Sequence, residues 1–225
     1  VEGDEYFDLL LSNLAIPTGR NVYFYDVDAM TTTTALSSTA TISDDDVATI
    51  SIANKAVTED VDANAVLTLT SDKQIDKAIA IDVALTDVTA NTGTDYDATG
   101  ISSVNLNALS LTTTLSVPIL GGDIVEGTET FDVTISDEAN SLTLDGYNIF
   151  IAAATDNVGV VTISDNDETT LSVADNSISE DGGSMIITVS TLKAFDSDVA
   201  VDIDFADVST ITDDFDHTAT TIQIN

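Results

Sequence analysis

The chain has 225 residues, 40 Asp and Glu against 5 Lys and Arg, and a formal net charge of −35. A surface this acidic repels a phosphate backbone and an anionic membrane face, which excludes nucleic acid and direct membrane insertion as partners. The 43% hydrophobic content is enough for a core, and with no Cys that core has no disulfide to support it.

The first stretch, Val1-Glu2-Gly3-Asp4-Glu5-Tyr6-Phe7-Asp8-Leu9, is an acidic turn that enters an alternating strand. Residues 14–25 resemble a hairpin around Pro17-Thr18-Gly19, and Thr31-Thr32-Thr33-Thr34 reads as a polar connector. Ala40-Thr41-Ile42-Ser43 is a strand that ends in Asp44-Asp45-Asp46.

From residue 47 the apolar period is two throughout, which marks half-buried strands. Strand A is expected near 47–53 (Ala48, Ile50, Ile52 inward), B near 65–71 (Ala65, Leu67, Leu69) and C near 78–86 (Ile79, Ile81, Val83, Leu85). A weak strand D is expected near 101–106, E near 109–119 (Leu115, Val117, Ile119), F near 129–136 (Phe131, Val133, Ile135) and G near 158–164 (Val161, Ile163). No window has a helical period. Short strands separated by turn signals predict an all-β chain of tandem Ig-like antiparallel β-sandwiches of about seven strands each. Between F and G, Asp145-Gly146 separates two alternating runs in 141–151, a hairpin signature. Strand parity puts that hairpin at the pole opposite the acids, facing the preceding unit or a neighbouring chain.

Strand G ends in Ser164-Asp165-Asn166-Asp167, and a new strand begins at Thr169-Thr170-Leu171-Ser172-Val173. This repeats the earlier joint, because Asp165-Asn166-Asp167 stands at an offset of 121 (165 − 44) from Asp44-Asp45-Asp46. Val125-Glu126-Gly127-Thr128-Glu129-Thr130-Phe131 repeats the opening stretch at an offset of 124 (126 − 2). Ser179-Glu180-Asp181 repeats Thr58-Glu59-Asp60 at 121 (180 − 59), and Asp213-Asp214-Phe215-Asp216 repeats Thr94-Asp95-Tyr96-Asp97 at 119 (214 − 95). Four matches in one order make a tandem repeat. Residues 1–46 are then the C-terminal half of one unit, 47–167 a complete unit, and 168–225 the N-terminal half of a third. The chain is expected to be a window on a longer array, and completion of half-units between chains is the alternative.

Of the acids 32 are Asp and only 8 are Glu. Asp suits turns and metal loops more than strands, so the placement of the rarer Glu is informative. Six of those 8 Glu (Glu2, Glu5, Glu59, Glu126, Glu129, Glu180) fall in the matched stretches. If strands alternate in direction, the A–B, C–D and E–F loops and the exit from G all lie at one pole. Glu59, Asp95, the group Asp123, Glu126 and Glu129, and the trio Asp165, Asn166 and Asp167 therefore converge. The equivalent positions of the partial units are Glu2, Glu5, Asp44, Asp45 and Asp46 on one side and Glu180 and Asp214 on the other. Two carboxylates ~4 Å apart repel by ~4 kcal/mol at an effective dielectric of ~20, so a cation or a raised pKa must relieve them. With oxygen donors alone and flexible loops, the expected ion is Ca²⁺ ahead of Mg²⁺.

Thr58-Glu59, Gly93-Thr94-Asp95-Tyr96, the run from Asp123 to Phe131 and Thr162-Ile163-Ser164-Asp165-Asn166-Asp167 together resemble the Calx-β domain. The family includes regulatory domains of sodium–calcium exchangers and many bacterial surface proteins. The resemblance implies Glu59, Asp95, Glu126, Glu129, Asp165 and Asp167 as calcium ligands, with the Ile124 carbonyl. Where the exchanger-type pattern has a run of acids, this chain has Gly121-Gly122-Asp123. Two carboxylates are missing, so one or two ions per pole are expected.

Asp62, Asp72, Asp76 and Asp196 are read as solvated, His217 as an exposed loop residue, and Tyr23, Phe24, Tyr25, Tyr147 and Phe150 as packing. There is no nucleophile elbow, zinc-protease helix or phosphate loop, and one His with no Cys leaves few candidates for a nucleophile–base pair, so catalysis is not expected. The expected role is a calcium-binding structural repeat of an extracellular or cell-surface protein, an adhesin or fibre. Its partners would be neighbouring repeats of the same chain and other copies in a fibre, with any glycan or protein ligand unspecified. The alternatives are a calcium-sensing regulatory module, or an interaction module that binds glycans or forms filaments.

Overall fold

The computed structural model describes the chain except residues 17, 27, 29, 34, 138–146, 180, 182, 207–217, 219 and 225, and the side chain of Thr31. Among the described residues there is no helix, and so none long and apolar enough to cross a membrane. The predicted Asp145-Gly146 hairpin turn, His217 and the candidate ligands Glu180 and Asp214 lie outside the described residues.

Among the described residues nineteen strands follow in order. The first four are β1 (Glu5–Ser12), β2 (Phe24–Asp26), β3 (Thr31–Thr33) and β4 (Ala35–Ile42). The middle ten are β5 (Ala48–Ile52), β6 (Lys55–Thr58), β7 (Asn64–Ser71), β8 (Ile79–Asp87), β9 (Ser103–Leu106), β10 (Thr112–Pro118), β11 (Ile124–Val125), β12 (Glu129–Ser136), β13 (Ile149–Ile151) and β14 (Val158–Ser164). The last five are β15 (Leu171–Val173), β16 (Val189–Thr191), β17 (Ala194–Phe195), β18 (Val199–Ile203) and β19 (Thr220–Ile224).

The middle strands form a two-sheet sandwich, with sheet orders β10-β7-β5-β13 and β6-β14-β12-β8-β9. Alternation in the sequence becomes alternation in burial. In β7, Ala65, Leu67, Leu69 and Ser71 point inward while their neighbours face solvent. In β12, Phe131, Val133 and Ile135 do the same. The two inner faces meet in one core, and every buried apolar side chain among the described residues lies between Ala48 and Ile163. Full burial of such a side chain is worth roughly 1.5–3 kcal/mol, so stability is concentrated in this sandwich.

Strand A is not continuous. It leaves one sheet as β5 and re-enters the other as β6, where Asn54 Oδ1 accepts the Val160 amide at 2.9 Å. Gly159 permits the crossing, since a Cβ there would stand 2.9 Å from the Ala53 carbonyl oxygen. As a result β6 pairs parallel to β14, and β13 pairs parallel to β5, so the sandwich is antiparallel except at these two edges. The strand expected at 109–119 begins only at Thr112, because Leu109 sits in a turn with φ of 61°. The expected connector Thr31–Thr33 is β3, paired antiparallel with β2, as β-branched residues beside an aromatic strand favour.

The flanking segments are ladders with little burial. β1 and β4 pair over eight residues, from Glu5↔Ile42 to Ser12↔Ala35. β15 pairs with β16, and β18 with β19. The short strand β17 pairs parallel with β11 of the sandwich, Ile124↔Ala194 and Val125↔Phe195.

Candidate metal centre

Ladder register places the acids. Thr58 on β6 pairs with Ser164 on β14, so the next residues, Glu59 and Asp165, leave the sheet side by side. The Glu59 amide donates to the Ser164 carbonyl at 3.1 Å and continues this pairing. Glu129 opens β12 opposite Ile163, two residues before Asp165. Asp95 is held by its own turn: Asn91 donates its amide to Asp95 Oδ2 at 2.6 Å, and Gly93 supplies φ of 92°. The next residue, Tyr96, is buried. Its ring stacks on Phe131 with centroids 3.9 Å apart, and Phe131 stands two residues after Glu129.

Asp95, Glu126 and Glu129, all half-buried, bring carboxylate oxygens within 4.8 Å of one another. Glu59 is only 6% exposed, and its Oε1 has no hydrogen-bond partner. Burial pushes the Glu59 carboxyl up to about 8, helped by a hydrogen bond and charge repulsion from Asp165 and by the charges of Glu126 and Asp60. Glu129 is pushed up to about 7 by burial, then by the charge of Asp95, a hydrogen bond with Asp95, and the charges of Glu126 and Asp196. Glu126 is raised by burial and by the charges of Asp95, Asp196, Asp165 and Asp167. Asp165 shifts the other way. Burial acts to raise it, but the amides of Asp167 and Glu126, a hydrogen bond from Glu59 and the Lys193 charge outweigh burial. Those two amides reach Asp165 Oδ1 and Oδ2, each at 2.6 Å.

Asp167 is also largely enclosed. Its Oδ2 is buried without a partner, while its Oδ1 takes the ammonium of Lys193. Asp123 is 98% exposed, with one oxygen 3.7 Å from the Lys193 Nζ that also meets Asp167. Asn166 is exposed, as is the Ile124 side chain. At the first pole the same backbone cradle recurs. Glu2 donates its amide to Asp44 Oδ2 at 3.0 Å, and Asp46 donates to Asp44 Oδ1 at 3.2 Å. Glu2, Glu5, Asp45 and Asp46 are exposed there.

Three residues at the pole escape a reading by motif. Asp60 adopts φ of 54°, and a Cβ on Gly121 would overlap its carboxylate, so Asp60 occupies the space that the glycine leaves. Its place directly after Glu59 was the available signal. Lys193 and Asp196 come from the following unit, and no local pattern ties them to this pole. Asp196, expected to be merely solvated, donates its amide to the Val125 carbonyl at 3.2 Å and adds negative charge beside Glu126 and Glu129. Asp62, Asp72 and Asp76 are exposed but bonded. They accept the Thr58 amide, the Thr49 amide and the Tyr147 hydroxyl at 2.9, 2.6 and 2.6 Å.

The donor set fits a hard cation. It consists of oxygen only, with three carboxylates gathered and two buried oxygens, Glu59 Oε1 and Asp167 Oδ2, left without a hydrogen-bond partner. Such orphans cost roughly 1–3 kcal/mol each unless a donor or an ion meets them.

A two-sheet sandwich that gathers carboxylates from several loops at one pole defines a β-sandwich module with an acidic pole as the class. The profile of the Calx-beta domain matches residues 43–167 and again 164–224, and the chain belongs to that family. Calx-beta domains are calcium-binding modules. Among solved structures, the apo form of the Calx CBD1 domain is 14% identical, covering 54% of this chain and 100% of that one, with a TM-score of 0.44. CBD12 from CALX1.2 is 14% identical, covering 78% and 71%, with a TM-score of 0.45. The calcium binding domain CBD12 of CALX1.1 is 16% identical, covering 53% and 44%, with a TM-score of 0.41. These scores are low, and the assignment rests on the profile match. A search among curated proteins finds no significant match.

Proposed function

We propose that the chain is a non-catalytic run of calcium-binding structural repeats from an extracellular surface protein, an adhesin or fibre, in which Ca²⁺ stiffens the joints between units. The units are 1–46, 47–167 and 168–225. Glu59, Asp95, Glu126, Glu129, Asp165 and Asp167 hold the ion at the central joint, with the Ile124 carbonyl. Asp123 and Asn166 stand at the rim as outer or water-mediated donors. The equivalent ligands are Glu2, Glu5, Asp44, Asp45 and Asp46 at the first joint, and Glu180 and Asp214 at the next pole.

The observation that carries this reading is the buried Glu59 Oε1 without a partner, beside the gathered carboxylates of Asp95, Glu126 and Glu129. Ca²⁺ at ~100 times its Kd would add ~2.7 kcal/mol to the sandwich. Extracellular modules commonly work with Kd near ~10⁻⁴–10⁻³ M, so calcium would be held outside a cell and lost to a chelator. The test is a melting curve and a small-angle scattering profile, each recorded in millimolar calcium and in excess EDTA. A fall in melting temperature with loss of extended shape is expected in EDTA. Identical curves in both conditions refute the proposal.

A further inference from the structure

Lys193 is placed at the acidic pole of the unit before its own. It sits in the turn after β16, just ahead of β17, and its ammonium closes on Asp167 Oδ1. The same turn recurs one unit earlier. Lys73 stands at an offset of 120 (193 − 73), and its ammonium lies 2.5 Å from Asp46 Oδ1. Asp46 precedes Asp167 by 121 (167 − 46). The chain has only five basic residues, and two of them hold this one position at successive joints.

The surrounding backbone recurs with them. Asp196 donates its amide to the Val125 carbonyl at 3.2 Å, and Asp76 donates to the Val1 carbonyl at 3.1 Å. These pairs stand at offsets of 120 (196 − 76) and 124 (125 − 1). In the later joint β17 runs parallel to β11. Even the support of the turn is shared: Thr191 Oγ1 donates to the Lys193 carbonyl at 2.8 Å, and Ser71 Oγ to the Lys73 carbonyl at 2.7 Å. An ion pair, a backbone pairing and a turn brace thus recur together at two successive joints.

We infer that each unit is clasped to the next by a resident cation. The lysine of the B–C turn (Lys73, Lys193) closes on the last aspartate of the preceding pole (Asp46, Asp167), and the adjoining backbone pairs across the joint. The clasp sets the direction of docking before any metal binds. It also takes one oxygen of Asp167, leaving Oδ2 for a metal. In a chain of net charge −35, two facing acidic surfaces would otherwise repel. The inference rests on the reading of the poles as joints between units and not on their binding calcium.

The test uses the full chain in EDTA, at low salt. Because the chain has no Cys, Ser116→Cys with Ala200→Cys places two nitroxide labels across the second joint, and Ser38→Cys with Ser116→Cys places two across the first. Pulsed dipolar spectroscopy then reads the distance distribution. With the lysines intact, each joint should give one narrow distribution. Lys193→Met should broaden the second joint about twofold and leave the first unchanged. Lys73→Met should do the reverse, and Lys→Arg at either place should restore the narrow distribution. About 1 M salt, with a Debye length of ~3 Å, should broaden the unmutated chain. A broad distribution in the unmutated chain at low salt, or equal widths with Lys and Met, overturns the inference. The local effect of each variant, read at both joints, separates loss of a clasp from general misfolding. A null result for calcium on the melting curve would sink the calcium reading and leave the clasp standing.

Discussion

The rings of Tyr96 and Phe131 stack at 3.9 Å with an interplanar angle of 11°, and this contact joins the two chain segments that carry Asp95 and Glu129. The Tyr96 hydroxyl donates to Asp87 Oδ1 at 2.5 Å and pins the ring from its far end. Core packing and ligand geometry are therefore one problem at this pole. The acids are held close by the apolar contacts just beneath them, and their repulsion is eased by raised carboxyl pKa values or by a bound cation.

Tyr96→Phe keeps the stack and removes the bond to Asp87. Since Asp87 Oδ1 still accepts the Thr92 amide at 3.0 Å, the loss should be ~1 kcal/mol in urea denaturation, with calcium affinity nearly unchanged. Phe131→Ala removes the other ring of the stack, fully buried in the core, and should cost about 3–5 kcal/mol and weaken calcium binding as well. Equal effects of the two variants would mean that the stack does not position the site.

Glu59→Gln separates fold stability from metal affinity. The carboxyl is buried with an orphan oxygen and is pushed up to about 8, so the change should raise the melting temperature of the metal-free protein above that pH, where a buried charge is lost, and have little effect well below it, where the carboxyl is already neutral. The same change should abolish most of the rise that calcium produces. Paired melts of parent and variant, with and without calcium, check both halves.

Proton linkage has a definite sign here. Glu59 and Glu129 are pushed up to about 8 and about 7 in the fold, against an ordinary value of 4.5 for each. Between 4.5 and these values the folded form holds more protons than the unfolded one, so stability falls as pH rises through that window. The metal-free sandwich should melt higher at pH 5 than at pH 8. Calcium binding near pH 7 should release protons, seen by calorimetry in buffers of different ionisation enthalpy, and the pH trend should flatten with calcium present. A melting temperature that rises with pH in EDTA would contradict these assignments.

Gly121→Ala should change stability by no more than about 0.5 kcal/mol, because the added Cβ meets only the carboxylate end of exposed Asp60, which can rotate away. A larger loss, recovered by Asp60→Gly in the same chain, would mean that the Asp60 carboxylate is fixed over the glycine. Urea denaturation of the single and double variants tests the coupling between them.

Much of this protein is legible in its sequence. Period-two alternation located seven strands of the sandwich, since residues such as Leu67, Leu69, Phe131 and Val133 can be buried only on one face of a strand. Strand parity assigned Glu59, Asp95, Glu126, Glu129 and Asp165 to one pole without coordinates. The split of strand A into β5 and β6 was not read, although polar Asn54 falls at the next inward position and the buried parity shifts to Val57, because the crossing itself depends on the space above Gly159.

What the sequence determined alone was the seven main strands of the sandwich and the convergence of their acidic ends, because both follow from local periodicity and chain direction. The tertiary structure decided the rest of the pole. It buried Glu59, turned Asp123 out to solvent, and filled the gap over Gly121 with Asp60. It also brought Lys193 from the next unit onto Asp167. These outcomes depend on the distances between segments far apart in the chain, and electrostatic and steric energies at such contacts are set by those distances.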